Sequence, residues 1–321
     1  MARYIKNALM LAKVEATAGT DAAPTGTADA VLLVGDAEFS PIESSTVERN
    51  LSMPWFGASM GLLGSVYSKI TFSCEAAGSG TAGTAPEWAE ILLGCATSNS
   101  TLATPARVEI LPASTSLKTL TLYFYDDGLL HKATGVVGNA KLSAKLGEVA
   151  KWSFDMLGAY VAPVAVANVA ATLTAWKTPP VLMRSNVVDI TLGCTYSAGA
   201  LSGGTVMGST GLELDFGNKS AFFSTLSREG GELSARESKV SFELELSAAQ
   251  EVAAITDILA STTTSLGFTI GTATGNKQIL FLPSIQRTSY KKGNKDGVRT
   301  VSFEARCLPV SGNDEWRIAC L

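Results

Sequence analysis

Ser68-Lys69-Ile70-Thr71-Phe72-Ser73-Cys74-Glu75 and Ser238-Lys239-Val240-Ser241-Phe242-Glu243-Leu244-Glu245 read as two versions of one strand. In each, apolar side chains alternate with polar ones, the pattern of a half-buried antiparallel strand with one face on a core. A helical segment follows each strand. Thr84 and Glu87 form T-x-x-E with Pro86 in the opening turn, and Trp88, Ile91, Leu92 and Cys95 recur at helical spacing. Ser247 and Gln250 form S-x-x-Q ahead of Val252, Ile255 and Leu259. Further alternating strands come next, and each half then reaches a matching segment, Trp152-Ser153-Phe154-Asp155 or Val301-Ser302-Phe303-Glu304. Agreement of local sequence with element order predicts an internal duplication. The expected fold is mainly β: two β-sandwich domains, each with one flanking α-helix and a long projecting β-hairpin. The expected divisions are an N-terminal arm over 1–35, a first domain over 36–160, a linker over 161–184 carrying Trp176 and Pro179-Pro180, and a second domain over 185–321.

Composition narrows the function. The 321 residues are 46% hydrophobic and only 17% charged, against about 25% charged in an ordinary soluble domain, so much of the surface expects company. The net charge of −4 gives no basic footprint of a nucleic-acid reader. No window approaches the ~20 apolar residues of a membrane helix, and the short apolar run at Asn7 to Ala12 is closed by Lys13 and Glu15, so neither a membrane span nor a signal peptide is expected. Five dispersed cysteines and a single histidine, His131, point away from a disulfide framework and from imidazole-based metal sites. No cofactor is expected.

Catalytic readings are weak. Gly57-Ala58-Ser59-Met60-Gly61 matches G-x-S-x-G, and Asp126 or Asp127 and then His131 follow in hydrolase order. Pro54 interrupts the strand that such an elbow needs, and Gly61 and Gly64 spoil the helix after it. Asp126-Asp127-Gly128 reads as a hairpin turn, as does the basic stretch Tyr290 to Arg299 around Asp296-Gly297. Gly271 to Lys277 is spaced wrongly for a phosphate loop and reads as a turn between Leu266–Ile270 and Ile279–Leu282.

Each half carries a long stretch before its Ser-Lys-Ile/Val strand. The first, Thr46 to Tyr67, holds Glu48, Arg49, Met53, Trp55, Phe56, Met60, Leu62 and Leu63. The second, Asp215 to Glu237, holds Phe222, Phe223, Arg228, Glu229, Glu232, Arg236 and Glu237. A ten-residue strand spans about 33 Å, more than a small sandwich covers, so part of each stretch is expected to project.

Leu11-Ala12-Lys13-Val14-Glu15-Ala16-Thr17-Ala18-Gly19-Thr20-Asp21-Ala22-Ala23-Pro24-Thr25-Gly26, Ser44-Ser45-Thr46-Val47-Glu48-Arg49, Leu214-Asp215-Phe216-Gly217-Asn218-Lys219 and Gly312-Asn313-Asp314-Glu315 together resemble the major tail tube proteins of long, noncontractile-tailed bacteriophages and related prophages. The resemblance implies a structural virion protein that polymerises into stacked rings, a hollow conduit for DNA ejection. It implies rings of six such domains, so that two domains per chain favour a trimer of pseudo-sixfold symmetry over a hexamer. Four strands per domain make 24, and at ~4.8 Å spacing and ~40° tilt they enclose a barrel roughly 45 to 50 Å across. It further implies a tape measure protein and a tail terminator as partners, assembly in the host cytoplasm, and DNA that passes without specific binding. On this reading Arg49, Met53, Trp55, Phe56, Met60, Leu62, Leu63, Phe222, Phe223, Arg228 and Arg236 form subunit interfaces, with the arginines paired across subunits. Glu48, Glu229, Glu232 and Glu237 are candidates for the lumen, since a neutral or acidic lining leaves phosphates free to slide. The N-terminal arm is expected to be ordered by a neighbouring subunit. Two rivals differ in class: a secreted or surface β-repeat adhesin, and a serine hydrolase using Ser59.

Overall fold

The computed structural model describes residues 3–321. The first half contains β1 (Ala8–Val14), β2 (Ala30–Val31), β3 (Glu38–Val47), β4 (Leu62–Glu75), α1 (Trp88–Leu93), β5 (Thr97–Ala103), β6 (Ala106–Pro112), β7 (Leu120–Asp126), β8 (Leu129–Lys145) and β9 (Lys151–Ala165). The second contains β10 (Val187–Leu192), β11 (Thr195–Ser197), β12 (Ala200–Ser202), β13 (Thr205–Val206), β14 (Gly208–Asp215), β15 (Asn218–Ser224), β16 (Glu229–Arg236), β17 (Lys239–Glu245), α2 (Ala248–Leu259), β18 (Thr263–Ile270), β19 (Gln278–Arg287), β20 (Lys291–Lys295), β21 (Val298–Cys307) and β22 (Arg317–Cys320). The chain is mainly β and antiparallel, as the alternation required.

Two ladders cross from one half to the other. One runs β3-β4-β9-β8-β14-β17-β21-β20, with four strands from each half. The other runs β5-β6-β22-β19-β18-β10-β13. In the first ladder the halves use one register. Phe72 lies opposite Phe154 with Thr71 opposite Asp155; Phe242 lies opposite Phe303 with Ser241 opposite Glu304. The facing phenylalanine rings stand 4.9 Å apart in one half and 5.6 Å in the other. On the far side, Phe39 faces Ile70 as Leu214 faces Val240.

The apolar faces meet in one core that ignores the sequence boundary. Trp88 packs on Trp152, Trp152 meets Phe216 edge-on, and Phe216 stacks on Trp316 at 4.1 Å. All four are essentially inaccessible, so aromatic burial joins the halves as firmly as the ladders do. A buried carboxylate reinforces the second ladder: Glu109 of β6 accepts from Arg107, from the Tyr196 hydroxyl of β11 and from Arg317 of β22.

Three expectations are refined. The N-terminal segment already has partners within the chain. The seven residues of β1 pair along β7, Met10 and Leu11 are fully buried, and the buried Glu15 accepts from the Thr119 and Thr121 hydroxyls and the Gly135 N–H. Leu9 to Ala12 is a short apolar run buried on both faces, Met10 in the main core and Leu11 in a second cluster, so it lacks the alternation that marks the other strands. Thr84 does not cap α1. The helix begins at Trp88 with Glu87 at its N-cap and no side-chain cap, and Trp88 is anchored by its indole N–H on the Ala77 carbonyl. The segment over 161–184, read as a linker, is anchored within the chain: β9 extends to Ala165, Trp176 donates to the Ala30 carbonyl, and Leu182 is buried. By contrast, α2 starts at Ser247 with the full reciprocal capping box to Gln250, as its sequence indicates. The turns at Asp127-Gly128 and Asp296-Gly297 both have positive φ at each central residue, the geometry that matches strand twist in a two-residue hairpin.

Candidate assembly surface

The first projecting element is β3, the segment 48–61 and the start of β4. Pro54 and Gly57 in that segment, with Gly61 at its end, favour neither helix nor strand, and the chain between Val47 and Leu62 is irregular and exposed. Trp55, Met60 and Leu63 are each about two-thirds exposed and Phe56 fully so; Leu62 is partly exposed, Met53 half-buried, and Glu48 and Arg49 open to solvent. These large apolar groups cover nothing within the chain, so an unpartnered patch of this kind marks an interaction site.

The second projecting element, β15–β16, has found a partner inside the chain. Gly217, at φ +65°, turns the strand off the ladder after β14. The hairpin then lies over β8, β9 and β4 of the first half: Phe222 stacks on Tyr67 at 5.1 Å. Gly231 sits so close to this surface that a Cβ would come within 3.0 Å of Val137 and of the Leu157 carbonyl oxygen. Phe223 and Leu226 at the tip remain exposed, with the Arg228 guanidinium over the Phe223 ring.

The charged residues singled out from sequence are mostly engaged within the chain. Arg228 pairs with Glu232, Glu229 accepts from the Ser224 hydroxyl, and Glu237 pairs with Lys219 at 3.0 Å. The Lys219 ammonium holds the Glu237 carboxyl below its ordinary pKa. Arg236, expected to pair across subunits, is instead enclosed: it pairs with Glu315 at 2.5 Å and donates to the Ala113 carbonyl at 2.9 Å. It serves the fold because its strand returns to the junction between α1, β6 and the C-terminal loop.

The sequence reading missed the polar face of the eight-stranded ladder. Strand parity sends Ile70, Phe72, Phe154, Leu142, Leu214, Phe242 and Phe303 inward, so Lys69, Asp155, Lys141, Asp215, Glu213, Glu243 and Glu304 stand together on the other side. Acids and bases interleave there, with Lys69–Asp155 at 3.4 Å and Lys141–Asp215 at 2.9 Å. Burial raises the Asp215 pKa, but hydrogen bonds from Asn139, Lys141 and the Gly217 N–H outweigh it and leave the group below its ordinary value. The same hydrogen bond, donated by Lys141 to Asp215, raises Lys141. The signal was present in the alternation; what was absent was the knowledge that both halves share one face.

The hydrolase residues stay dispersed in their bonding. Ser59 donates to the Arg49 carbonyl at 2.7 Å, Asp126 pairs with Arg3, and Asp127 accepts from the Tyr4 N–H. His131 stacks on Phe39, and burial lowers its pKa. Among the described residues no hydrogen bond joins Ser59, His131 and either aspartate. All five cysteines are free and buried.

No individual curated protein matches the chain. A family model for phage tail tube proteins matches residues 6–307, nearly the whole length. With an all-antiparallel fold, exposed apolar projections and a shared polar face already in place, that match makes the chain a member of the phage tail tube protein family.

Proposed function

We propose that three copies of this chain close into a ring, and that rings stack into the hollow tail tube through which phage DNA leaves the particle. The observation that carries the proposal is the ladder β3-β4-β9-β8-β14-β17-β21-β20, in which each half contributes four strands. Three such arcs contain 24 strands, and at ~4.8 Å spacing and ~40° tilt they enclose a barrel roughly 45 to 50 Å across. Side chains reduce the opening, but the bore still passes a duplex about 20 Å wide. The two halves then act as repeats of one unit, and the trimer is favoured over a hexamer.

Side-chain parity supports the polar face of the ladder, outside the Tyr67–Leu157 end that β15–β16 covers, as the lumen lining. Lys69 and Lys141 stand beside acids there, so the middle of the lining offers no uncompensated positive track for phosphates, whose attraction to basic surfaces would hold DNA in place. Glu48 belongs to the projecting segment 48–61, which we assign with Trp55, Phe56 and Met60 to contacts between rings or neighbours. The tube assembles in the host cytoplasm, with a tape measure protein inside and a terminator at its end. Negative-stain microscopy of purified protein tests the reading: rings or hollow tubes are expected, and a monomer at every concentration would overturn it. A reconstruction at residue resolution counts the subunits, three per ring being the expected result.

A further inference from the structure

We infer that neighbouring copies join by one defined strand seam, β20 of one copy against β3 of the next, in the register that β8 and β14 already use inside the chain. The inference rests on the tube reading above and adds the partner surfaces and the residues that match them.

Inside the chain, β8 and β14 join the halves with Lys141 opposite Asp215, Ser143 opposite Glu213 and Lys145 opposite Gly211. A strand with two lysines four apart thus meets a strand with two acids two apart on the same side of the ladder, with one lysine directly opposite an acid. The outer flanks offer the same two strand positions, again one with two lysines four apart and one with two acids two apart. Strand β20 stands to β21 as β8 stands to β9: Lys291 faces Ser302 where Lys141 faces Ser153, and Ser302 and Ser153 each precede the phenylalanine paired with the Ser-Lys-Ile/Val strand. Lys291-x-x-x-Lys295 therefore occupies the place of Lys141-x-x-x-Lys145. On the opposite flank, Phe39 corresponds to Leu214 through their partners Ile70 and Val240, so Glu38 takes the place of Glu213 and Ser40 that of Asp215, while Asp36, just ahead of β3, falls at the place of Gly211 and moves the second acid two positions along the seam.

Both flanks are open. Among the described residues β3 pairs with β4 alone and β20 with β21 alone, and none of Asp36, Glu38, Lys291 and Lys295 has an ion-pair partner. An exposed edge with unpaired N–H and C=O groups takes up another strand, and complementary charge sets which strand and where. Carrying the internal register across gives Ser40 opposite Lys291, Glu38 opposite Gly293 and Asp36 opposite Lys295. One basic and one acidic edge on opposite flanks make a head-to-tail contact, the kind that closes a ring.

Charge reversal tests the seam. The full chain is first examined by negative stain, where rings or tubes are expected. Lys291→Glu with Lys295→Glu, and separately Asp36→Lys with Glu38→Lys, are expected to abolish them while the melting temperature stays close to the parent's. The chain carrying all four substitutions is expected to assemble again. A second measurement does not depend on the charges: Ser40→Cys with Lys291→Cys is expected to cross-link copies on oxidation, and either substitution alone is not. Assembly that survives either reversal, a four-fold variant that stays dispersed, or cross-linking no greater in the pair than in the single variants each overturn the seam and leave the tube reading standing. A parent chain that is monomeric at every concentration overturns the tube reading, and the seam with it.

Discussion

Arg236 shows how far a residue's role depends on what folds against it. In sequence it is one more charge on a projecting stretch; in the structure Glu315 and two backbone carbonyls enclose it. Breaking a buried pair strands the remaining charge, so Arg236→Ala is expected to destabilise the chain by about 3 kcal/mol in chemical denaturation. A loss under about 1 kcal/mol would mean that water compensates Glu315. Asp215 and Lys141 make a prediction in pH. The Asp215 pKa is below its ordinary 3.8 in the folded chain, so its contribution is in force above about pH 4 and is lost as pH falls through the folded value. Lys141 is raised above 10.5, so its contribution persists below that pH and is lost as pH rises through the folded value. The melting-temperature difference between the parent and Asp215→Asn is therefore expected to be flat from about pH 5 to 9 and to shrink below about pH 4. A difference that grows on acidification would contradict this assignment. At this scale the sequence was readable where a motif is local, as in the Ser247–Gln250 box, and unreadable where a partner lies far along the chain, as Glu315 does from Arg236.

Among the elements, the two projecting hairpins began as equals and end in different states. The second rests on the first half through Phe222 and the close approach at Gly231, whereas the first has nothing beneath it. The difference follows from topology: the second hairpin leaves β14 in the middle of the ladder, beside β8, and folds back onto the first half, whereas the first continues from β3 at the ladder's open edge. Trp55→Ser with Phe56→Ser is accordingly expected to leave the melting temperature of dispersed protein within a few degrees while rings or tubes disappear from stained grids. A large fall in melting temperature with assembly intact would make this segment part of the core instead. The strands were legible because alternation is a property of neighbours in sequence. The N-terminal β1 was not, since its apolar run is short and its place is fixed by β7, more than a hundred residues on.

For the whole molecule, the halves cannot be taken apart as their sequences can. Both ladders cross between them, and Trp152, Phe216 and Trp316 form one aromatic stack from both sides. Calorimetry of the dispersed chain is expected to give a single transition, and residues 1–184 expressed alone are expected not to fold; two separated transitions would restore independent domains. The amino-acid sequence by itself determined the β class, most of the strands and turns, and the helix start at Ser247, because each is encoded by spacing within a few residues. The tertiary structure alone decided that the halves share two sheets and one core, that Arg236 is internal, and that one polar face runs across eight strands. Those outcomes rest on contacts between residues far apart in the chain, where burial and pairing select one partner from many and local pattern carries no preference.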